Sequence, residues 1–437
     1  MDRLIKISIL ILLTLITLMF YDFYMLGTFY FYVLGIFLLY DIARNKKIKL
    51  IHVWCFAFVF IILSEVFLTI GETLDANLLA ALKFLIIANN VILMGYFSNE
   101  SITSEDTNNH YTYTPRKVGG IFLIILVLIY FLFNLPSALI AFSSGRQAGS
   151  EGQDYVLSSI ISSAGFVLPS VILFYFHYLK KTPLLVPLLF SLPIFAILFM
   201  GGTRFPLLFS FLGFFITYQN LNEGKISVKK LALMVSAGII LVSASFAMKE
   251  FRSNSGQDAV YAEEKAAYKD IPTYTSQYFS NEGVIDMTGL MMQHFTFNNH
   301  LYGTSSSFVA YFWVPRFLWE DKPTMLGHWF IRLYRGGFSD GHSASFGFTG
   351  DLFADFGYGS LFFIFFLGRL IRRGEIFQAK ALASKNYKVI LGAMLYPYVF
   401  FFVRSPITAT ITFLGILFFF YIFKRIIFAE QLEIKSI

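Results

Sequence analysis

The sequence has few charged residues for its length. Only 14% of its 437 residues are Asp, Glu, Lys or Arg, whereas a soluble domain carries roughly 25%. A soluble chain of this size needs a charged surface around its core, and too few charges are present to form one. The composition therefore excludes a water-soluble enzyme. Its 57% hydrophobic content also excludes a disordered chain.

Cysteine is nearly absent as well, since Cys55 is the only one in the sequence. One cysteine cannot form an internal disulfide or a Cys-rich zinc site. His294 and His300 are six residues apart and have no third ligand at helical spacing, so they do not indicate a metal site. We therefore predict neither redox chemistry nor a bound metal.

Apolar runs long enough to cross a bilayer are present along the whole chain. A hydrocarbon core of about 30 Å takes roughly 20 apolar residues per helix. About twelve spans are predicted, near 5–21, 24–40, 51–70, 77–97, 118–140, 156–178, 184–201, 205–219, 231–248, 357–371, 388–403 and 407–423. The predicted fold is an all-α polytopic membrane protein. Its three parts are spans 1–9 in residues 1–248, a large, mostly helical loop in 249–356, and spans 10–12 with a tail in 357–437.

Lysine and arginine lie mostly on one side of the predicted spans. The short loops on the other side hold only Arg146, Arg204 and Arg404. The positive-inside rule therefore places both termini in the cytoplasm and residues 249–356 outside. This outer loop has eight Lys or Arg and twelve Asp or Glu, so it carries −4 and the rest of the chain +11. The net charge of +7 thus reflects orientation, and no nucleic-acid partner is predicted.

The three outer arginines are candidate ligands for a phosphate or diphosphate, because a guanidinium binds phosphate oxygens bidentately and stays charged. The alternative is that each reaches lipid headgroups or pairs with a carboxylate. Arg316 and Lys322 could bind a second phosphate, or could belong to a solvated charge cluster with the neighbouring acidic residues.

Four residues are candidates for general acid–base chemistry, since His and carboxylates titrate in a usable range. They are His328, His342, Asp351 and Asp355, and for each a structural role is the more common one. Asp351 and Asp355 are four residues apart, so on a helix they share a face.

The outer loop also holds three of the four tryptophans, Trp313, Trp319 and Trp329. Tryptophan concentrates at the membrane–water interface, so this half of the loop is predicted to lie on the outer leaflet. Within the spans, Glu65 and Lys83 are predicted to form a structural ion pair, because a single intramembrane charge is costly, and a proton relay is the alternative. Asn89 and Asn90 are predicted to hydrogen-bond between helices.

The span pattern, the late outer loop and the outer arginines resemble the O-antigen polymerase (Wzy-type) family of bacterial membrane glycosyltransferases. "GGTRFPLLFSFLG" is similar to that family's small-small-Thr-Arg turn. "WVPRFLWEDKP" is similar to its Pro-Arg…Lys-Pro stretch, and "SFGFTGDLFADFGYGSLF" to the start of its following span. These motifs cover about a quarter of the chain.

The resemblance implies a GT-C-like fold, no cofactor, and functionally important arginines at Arg146 and Arg204. It implies a polymerase that joins oligosaccharide repeat units carried on undecaprenyl diphosphate, at the outer face of the bacterial inner membrane. Membrane lipids and a chain-length regulator protein are the further partners it suggests. An O-antigen ligase and a lipid-linked-oligosaccharide flippase are the alternatives, although a flippase usually shows a repeat symmetry that is not evident in this sequence.

Overall fold

The structure is a computed structural model of the full chain. It describes residues 2–45, 47–68, 76–98, 111–116, 118–144, 155–201, 204–222, 283–296, 299–314, 318–335, 345–384 and 386–432. Helices account for most of these residues, as the apolar runs predict.

The α-helices follow the order of the apolar runs. They are α1 Asp2–Met19, α2 Phe23–Asn45, α3 Leu50–Phe58, α4 Ser64–Leu68, α5 Ala76–Ser98, α6 Gly119–Ser144, α7 Tyr155–Leu173, α8 Leu185–Met200, α9 Arg204–Leu221, α10 Val284–His294, α11 Phe308–Tyr311, α12 Leu326–Arg335, α13 Gly350–Phe356, α14 Ser360–Ser384, α15 Lys388–Arg404 and α16 Pro406–Ile427. Two π-helical segments, Val59–Leu63 and Phe174–Leu179, continue α3 and α7.

Seven helical stretches among the described residues are long and apolar enough to cross a membrane. They are Phe23–Arg44, Leu50–Phe67, Asn77–Ser98, Gly119–Phe142, Ser162–Leu179, Gly347–Ala383 and Pro406–Ile427. The chain is therefore an all-α polytopic membrane protein in its main architecture. The predicted number of twelve spans stays a prediction, and the span near 231–248 lies outside the described residues.

The chain forms two compact units. Unit 1 comprises Met1–Ile102, Tyr268–Ile376 and Val399–Ile411, and unit 2 comprises Thr103–Ala267, Phe377–Tyr398 and Thr412–Ile437. These units group the chain differently from the three predicted segments, because helix α10 of the predicted loop packs against α5 and the Val59–Leu63 segment.

Unit 1 contains a buried polar network between its helices. The Tyr30 hydroxyl donates to Asn90 Oδ1 at 2.6 Å, and Trp54 Nε1 donates to Asn89 Oδ1 at 2.8 Å. Both asparagines are fully buried, and buried amides need such partners. The predicted interhelical hydrogen bonds of Asn89 and Asn90 are thus confirmed.

Unit 2 is built on a large apolar cluster formed by α6, α7, α8 and α9 with parts of α15 and α16. It also holds an antiparallel pair of strands, β1 Tyr111–Pro115 and β2 Phe428–Leu432. These ten residues lie outside the predicted spans, so the strand pair is a small addition to a mainly helical chain. The alternation of Tyr and Thr in β1 favours a strand, but its partner is more than three hundred residues away in the sequence.

The predicted tenth span has a break at its start. Helix α13 ends at Phe356, and Gly357 adopts φ +54° before α14 begins at Ser360. A residue with a side chain is strained at this φ, so glycine allows the turn. The short helix α13 and the long helix α14 are therefore separate elements.

Candidate functional site

The described part of the predicted loop folds within unit 1 around helix α13. Phe353 and Ala354 of α13 join a buried apolar cluster with Met287 and Met291 of α10 and Phe330 of α12. Such a core fixes the loop segments relative to one another, because interiors are close-packed. The polar side chains on the opposite face of α13 are consequently held in place.

Asp355 holds the segment that precedes α11. Its side chain is fully buried, and its two carboxylate oxygens accept hydrogen bonds from Ser305 N at 2.9 Å and Ser306 N at 2.7 Å. The backbone adds two bonds, from Leu301 N to the Ala354 carbonyl and from Tyr302 N to the Asp355 carbonyl. Because both oxygens of Asp355 are occupied by backbone amides, its role in this geometry is to position residues 301–306.

Asp351 contacts the same segment through a side chain. The Ser305 hydroxyl donates to Asp351 Oδ1 at 2.7 Å. The prediction that Asp351 and Asp355 share one face of a helix is confirmed, since both meet Ser305. A serine hydroxyl that donates to a carboxylate keeps its lone pairs free to accept a proton from a third group.

Lys322 is buried, and its ammonium points towards the protein interior. Its Nζ donates to the carbonyls of Phe312 at 3.1 Å and Val314 at 2.8 Å. The ring centroids of Phe308 and Phe312 lie 5.9 Å from the same nitrogen, within the range of cation–π attraction. Lys322 thus ties α11 to the turn around residues 319–322, and its predicted phosphate contact stays a prediction.

A cavity of about 430 Å³ opens beside Ser305. Its polar lining consists of Thr304, Ser305, Glu320, Asp321, Lys322 and Thr324. Trp329, Leu301, Leu326 and Pro323 complete the wall. Cavities of about 300–1,000 Å³ with an apolar wall and a few polar groups are typical of small-molecule sites.

Trp329 is fixed in this wall by aromatic neighbours. Its ring centroid lies 5.6 Å from that of His294, with the planes at 71°, and 6.0 Å from that of Phe295. The side chain is still 36% exposed. Burial lowers the pKa of His294 from its usual 6.5, so this imidazole is neutral at physiological pH.

Glu65 joins the membrane helices to the loop within unit 1. Its Oε1 accepts from Val284 N at 2.7 Å and its Oε2 from Ile285 N at 2.8 Å, at the N-terminus of α10. A carboxylate there satisfies unpaired amides and is favoured by the helix dipole. Lys83 instead donates to the Leu18 carbonyl at 3.1 Å, so the predicted Glu65–Lys83 ion pair was wrong.

Arg404 and His328 are also placed in unit 1. Arg404 is an exposed residue at the end of α15, and its carbonyl accepts a hydrogen bond from the Ser345 hydroxyl. The positive charge of Arg404 stabilises the ionised form of the Glu65 carboxylate. His328 is half-buried in the first turn of α12, next to Trp329.

The remaining predicted site residues cannot be located in the same way. Arg146, Arg316 and His342 lie outside the described residues. Arg204 begins helix α9, but its side chain is outside the described set. Within the described residues, no group of three or more His, Cys, Asp or Glu side chains is placed to hold a metal ion.

The sequence predicted neither the role of Ser305 nor the partner of Glu65. Ser305 belongs to a run of three serines, and only its contact with Asp351 distinguishes it from Ser306 and Ser307. Glu65 was paired with Lys83 because both are charged residues within spans. The one signal that could have located its partner is the start of an amphipathic helix at Gly283–Val284, whose free amides need an acceptor.

Comparison of the chain with known protein families, curated proteins and solved structures gives no match.

Proposed function

We propose that the chain is a membrane glycosyltransferase that polymerises oligosaccharide repeat units carried on undecaprenyl diphosphate at the outer face of the bacterial inner membrane. The observation that carries the proposal is the cavity beside the Ser305–Asp351 pair. This pair is hydrogen-bonded and lies just before the helix Ser360–Ser384. Such a position suits a substrate with a lipid part in the membrane and a sugar part in water.

In the proposed reaction, a hydroxyl of the acceptor glycan attacks the anomeric carbon of the donor sugar. A glycosidic bond forms, and the bond between that carbon and the diphosphate oxygen breaks. The hydroxyl proton passes to Ser305 Oγ while the Ser305 proton passes to Asp351, so Asp351 acts as general base through the serine. Undecaprenyl diphosphate leaves with the bonding electrons.

The leaving group needs positive charge, which four arginines would provide. Arg146, Arg204, Arg316 and Arg404 are the proposed ligands, since guanidinium groups stabilise developing phosphate charge in a site of low dielectric. Lys322 is a weaker candidate because its ammonium already binds two carbonyls. Asp355 positions Ser305, and His328 and His342 stay alternative bases.

Deletion of the gene, followed by electrophoresis of the surface polysaccharide, tests this proposal. A polymerase is supported if the polymer ladder disappears and a single capped repeat unit remains. Loss of all glycan from the lipid core would indicate a ligase or a flippase. An unchanged ladder would contradict any role in this synthesis.

Complementation then tests the proposed roles of individual residues. Asp351→Asn should fail to restore the ladder because it removes the proton acceptor, and Arg204→Ala should fail because it removes charge from the leaving group. Ser307→Ala is a suitable control, since Ser307 lies two residues from Ser305 and its hydroxyl donates to the Thr304 carbonyl rather than to Asp351. Full restoration by both Asp351→Asn and Arg204→Ala would refute these assignments.

A further inference from the structure

We infer that the cavity beside Ser305 binds a neutral, hydroxyl-rich saccharide of the acceptor, and that the diphosphate is held elsewhere. This inference rests on the proposed function and specifies which part of the substrate occupies the cavity. It follows from the hydrogen-bonding character of the lining, from the orientation of Lys322 and from the position of Trp329.

Three of the polar side chains in the cavity wall, those of Ser305, Thr304 and Asp321, offer a ligand acceptors rather than donors. The Ser305 hydroxyl gives its proton to Asp351, and the Thr304 hydroxyl gives its proton to the Leu301 carbonyl at 2.8 Å. Both oxygens therefore have only lone pairs left for a ligand. Asp321 adds an exposed carboxylate, which when ionised also only accepts.

A diphosphate is a poor ligand for such a lining. Phosphate oxygens are themselves acceptors and carry negative charge, so they need N–H donors and cations. Lys322 is the one cation among the lining residues, and its ammonium donates to the Phe312 and Val314 carbonyls. Sugar hydroxyls are donors, and they match the lone pairs of Ser305 and Thr304 and the exposed carboxylate of Asp321.

Trp329 supplies the apolar surface that a sugar ring requires. Trp329 lines the cavity and is 36% exposed overall, and the rings of His294 and Phe295 pack against its indole. An aromatic face buries the C–H face of a pyranose while the hydroxyls at the ring edge stay free to donate. A sugar stacked on Trp329 would also lie in the cavity that Ser305 lines, so an acceptor hydroxyl could reach Ser305 Oγ.

Binding of the free glycan tests this inference. The probe is the repeat-unit oligosaccharide, cleaved by mild acid from its lipid diphosphate and titrated calorimetrically into the detergent-purified full-length protein. We expect saturable binding that inorganic diphosphate does not displace. Trp329→Ala and Asp321→Asn should each weaken it by about tenfold or more, as loss of a central contact does.

Trp319→Ala is the matched control. Trp319 is 40% exposed and lies in the same segment, but it is not part of the cavity wall. Trp329→Phe keeps an aromatic face and should retain most of the binding, which separates loss of stacking from loss of folding. Unchanged binding by Trp329→Ala, displacement by inorganic diphosphate, or no binding by the wild type would each overturn the inference.

The failure of this inference can be distinguished from the failure of the proposed function. If gene deletion abolishes the ladder but Trp329→Ala restores it to full length, the polymerase proposal stands and the saccharide site is wrong. If gene deletion leaves the ladder unchanged, the proposed function itself is wrong.

Discussion

At the scale of single residues, the two aspartates of α13 differ in what their oxygens bind. Asp355 accepts two backbone amides and is fully buried, while Asp351 accepts one serine hydroxyl. The first arrangement stabilises a fold, and the second can transfer a proton. Sequence spacing predicts their shared face but not this division, because it depends on Ser305, which is 46 residues from Asp351 in the sequence.

Asp355→Asn should destabilise the protein even though it keeps the shape of the side chain. The amide has one acceptor oxygen, and its NH₂ group would face a backbone N–H. The expected loss in free energy of unfolding is about 2–4 kcal/mol, the size of a lost charge-assisted bond with a buried unpaired donor. Thermal unfolding of the purified protein measures it. Asp321→Asn, at an exposed position, should leave the melting temperature unchanged, and an equal effect of both changes would contradict this assignment.

His294 should make stability depend on pH. Burial lowers its pKa in the folded state below 6.5, so the unfolded state binds more protons once the pH falls below about 6.5. Its contribution is thus fully present above that pH and is lost as the pH falls towards the folded-state pKa. The melting temperature should therefore drop less in His294→Gln than in the wild type between about pH 7.5 and about pH 5.5. Equal drops would show that His294 does not contribute.

At the scale of secondary-structure elements, sequence and structure agree best for the apolar helices. Long apolar runs such as those of α5 and α6 must be covered by protein or by lipid along their whole length. This requirement depends only on the residues of the run itself, so the sequence suffices to predict the helix. The pairing of β1 with β2 and the contact of Glu65 with α10 could not be predicted, because each joins segments more than two hundred residues apart. The orientation of Lys322 depends likewise on two carbonyls that only the folded chain brings near it.

Glu65→Gln should loosen α10 from the membrane helices of unit 1. The neutral amide keeps one acceptor oxygen but loses the second bond and the favourable interaction with the helix dipole. We expect a loss of about 1–2 kcal/mol in stability, typical of a removed N-terminal cap. Limited proteolysis and thermal unfolding can both detect it. Ser64→Ala removes a neighbouring hydroxyl that donates to the Phe60 carbonyl in the preceding π-helical turn, and it should behave as the wild type. A larger effect of Ser64→Ala than of Glu65→Gln would contradict the proposed cap.

Helices α5 and α14 cross so closely that their contact requires glycine. A Cβ at Gly368 would overlap the carbonyl oxygen of Ile92, and a Cβ at Gly95 would overlap that of Phe365. Because both are backbone atoms, Gly368→Ala should force the helices apart at a cost of about 3 kcal/mol, at the upper end for overpacking.

Gly35→Ala provides the control for Gly368→Ala. Gly35 lies inside α2, and a Cβ there would meet nothing within 4 Å. We expect normal folding yield and melting temperature for Gly35→Ala, with a clear reduction for Gly368→Ala in size-exclusion chromatography. Equal yields would contradict the close crossing.

At the scale of the whole molecule, the charge distribution and the site support the same proposal. The basic residues predict which side of the membrane faces the cytoplasm, and the loop predicted on the other side contributes the cavity, Ser305 and Asp351. Composition and hydropathy suffice to predict a polytopic membrane protein. Composition and hydropathy do not predict the reaction chemistry, because the hydrogen bonds of Ser305 and Lys322 depend on tertiary contacts.

Reconstitution tests the central claim most directly. The purified full-length protein in liposomes, supplied only with undecaprenyl-diphosphate-linked repeat units, should form products of two and more units. It should release one undecaprenyl diphosphate for each bond formed, and Asp351→Asn should form none. If the wild-type protein forms no linked units, or only moves the lipid-linked units across the bilayer, the polymerase proposal is contradicted.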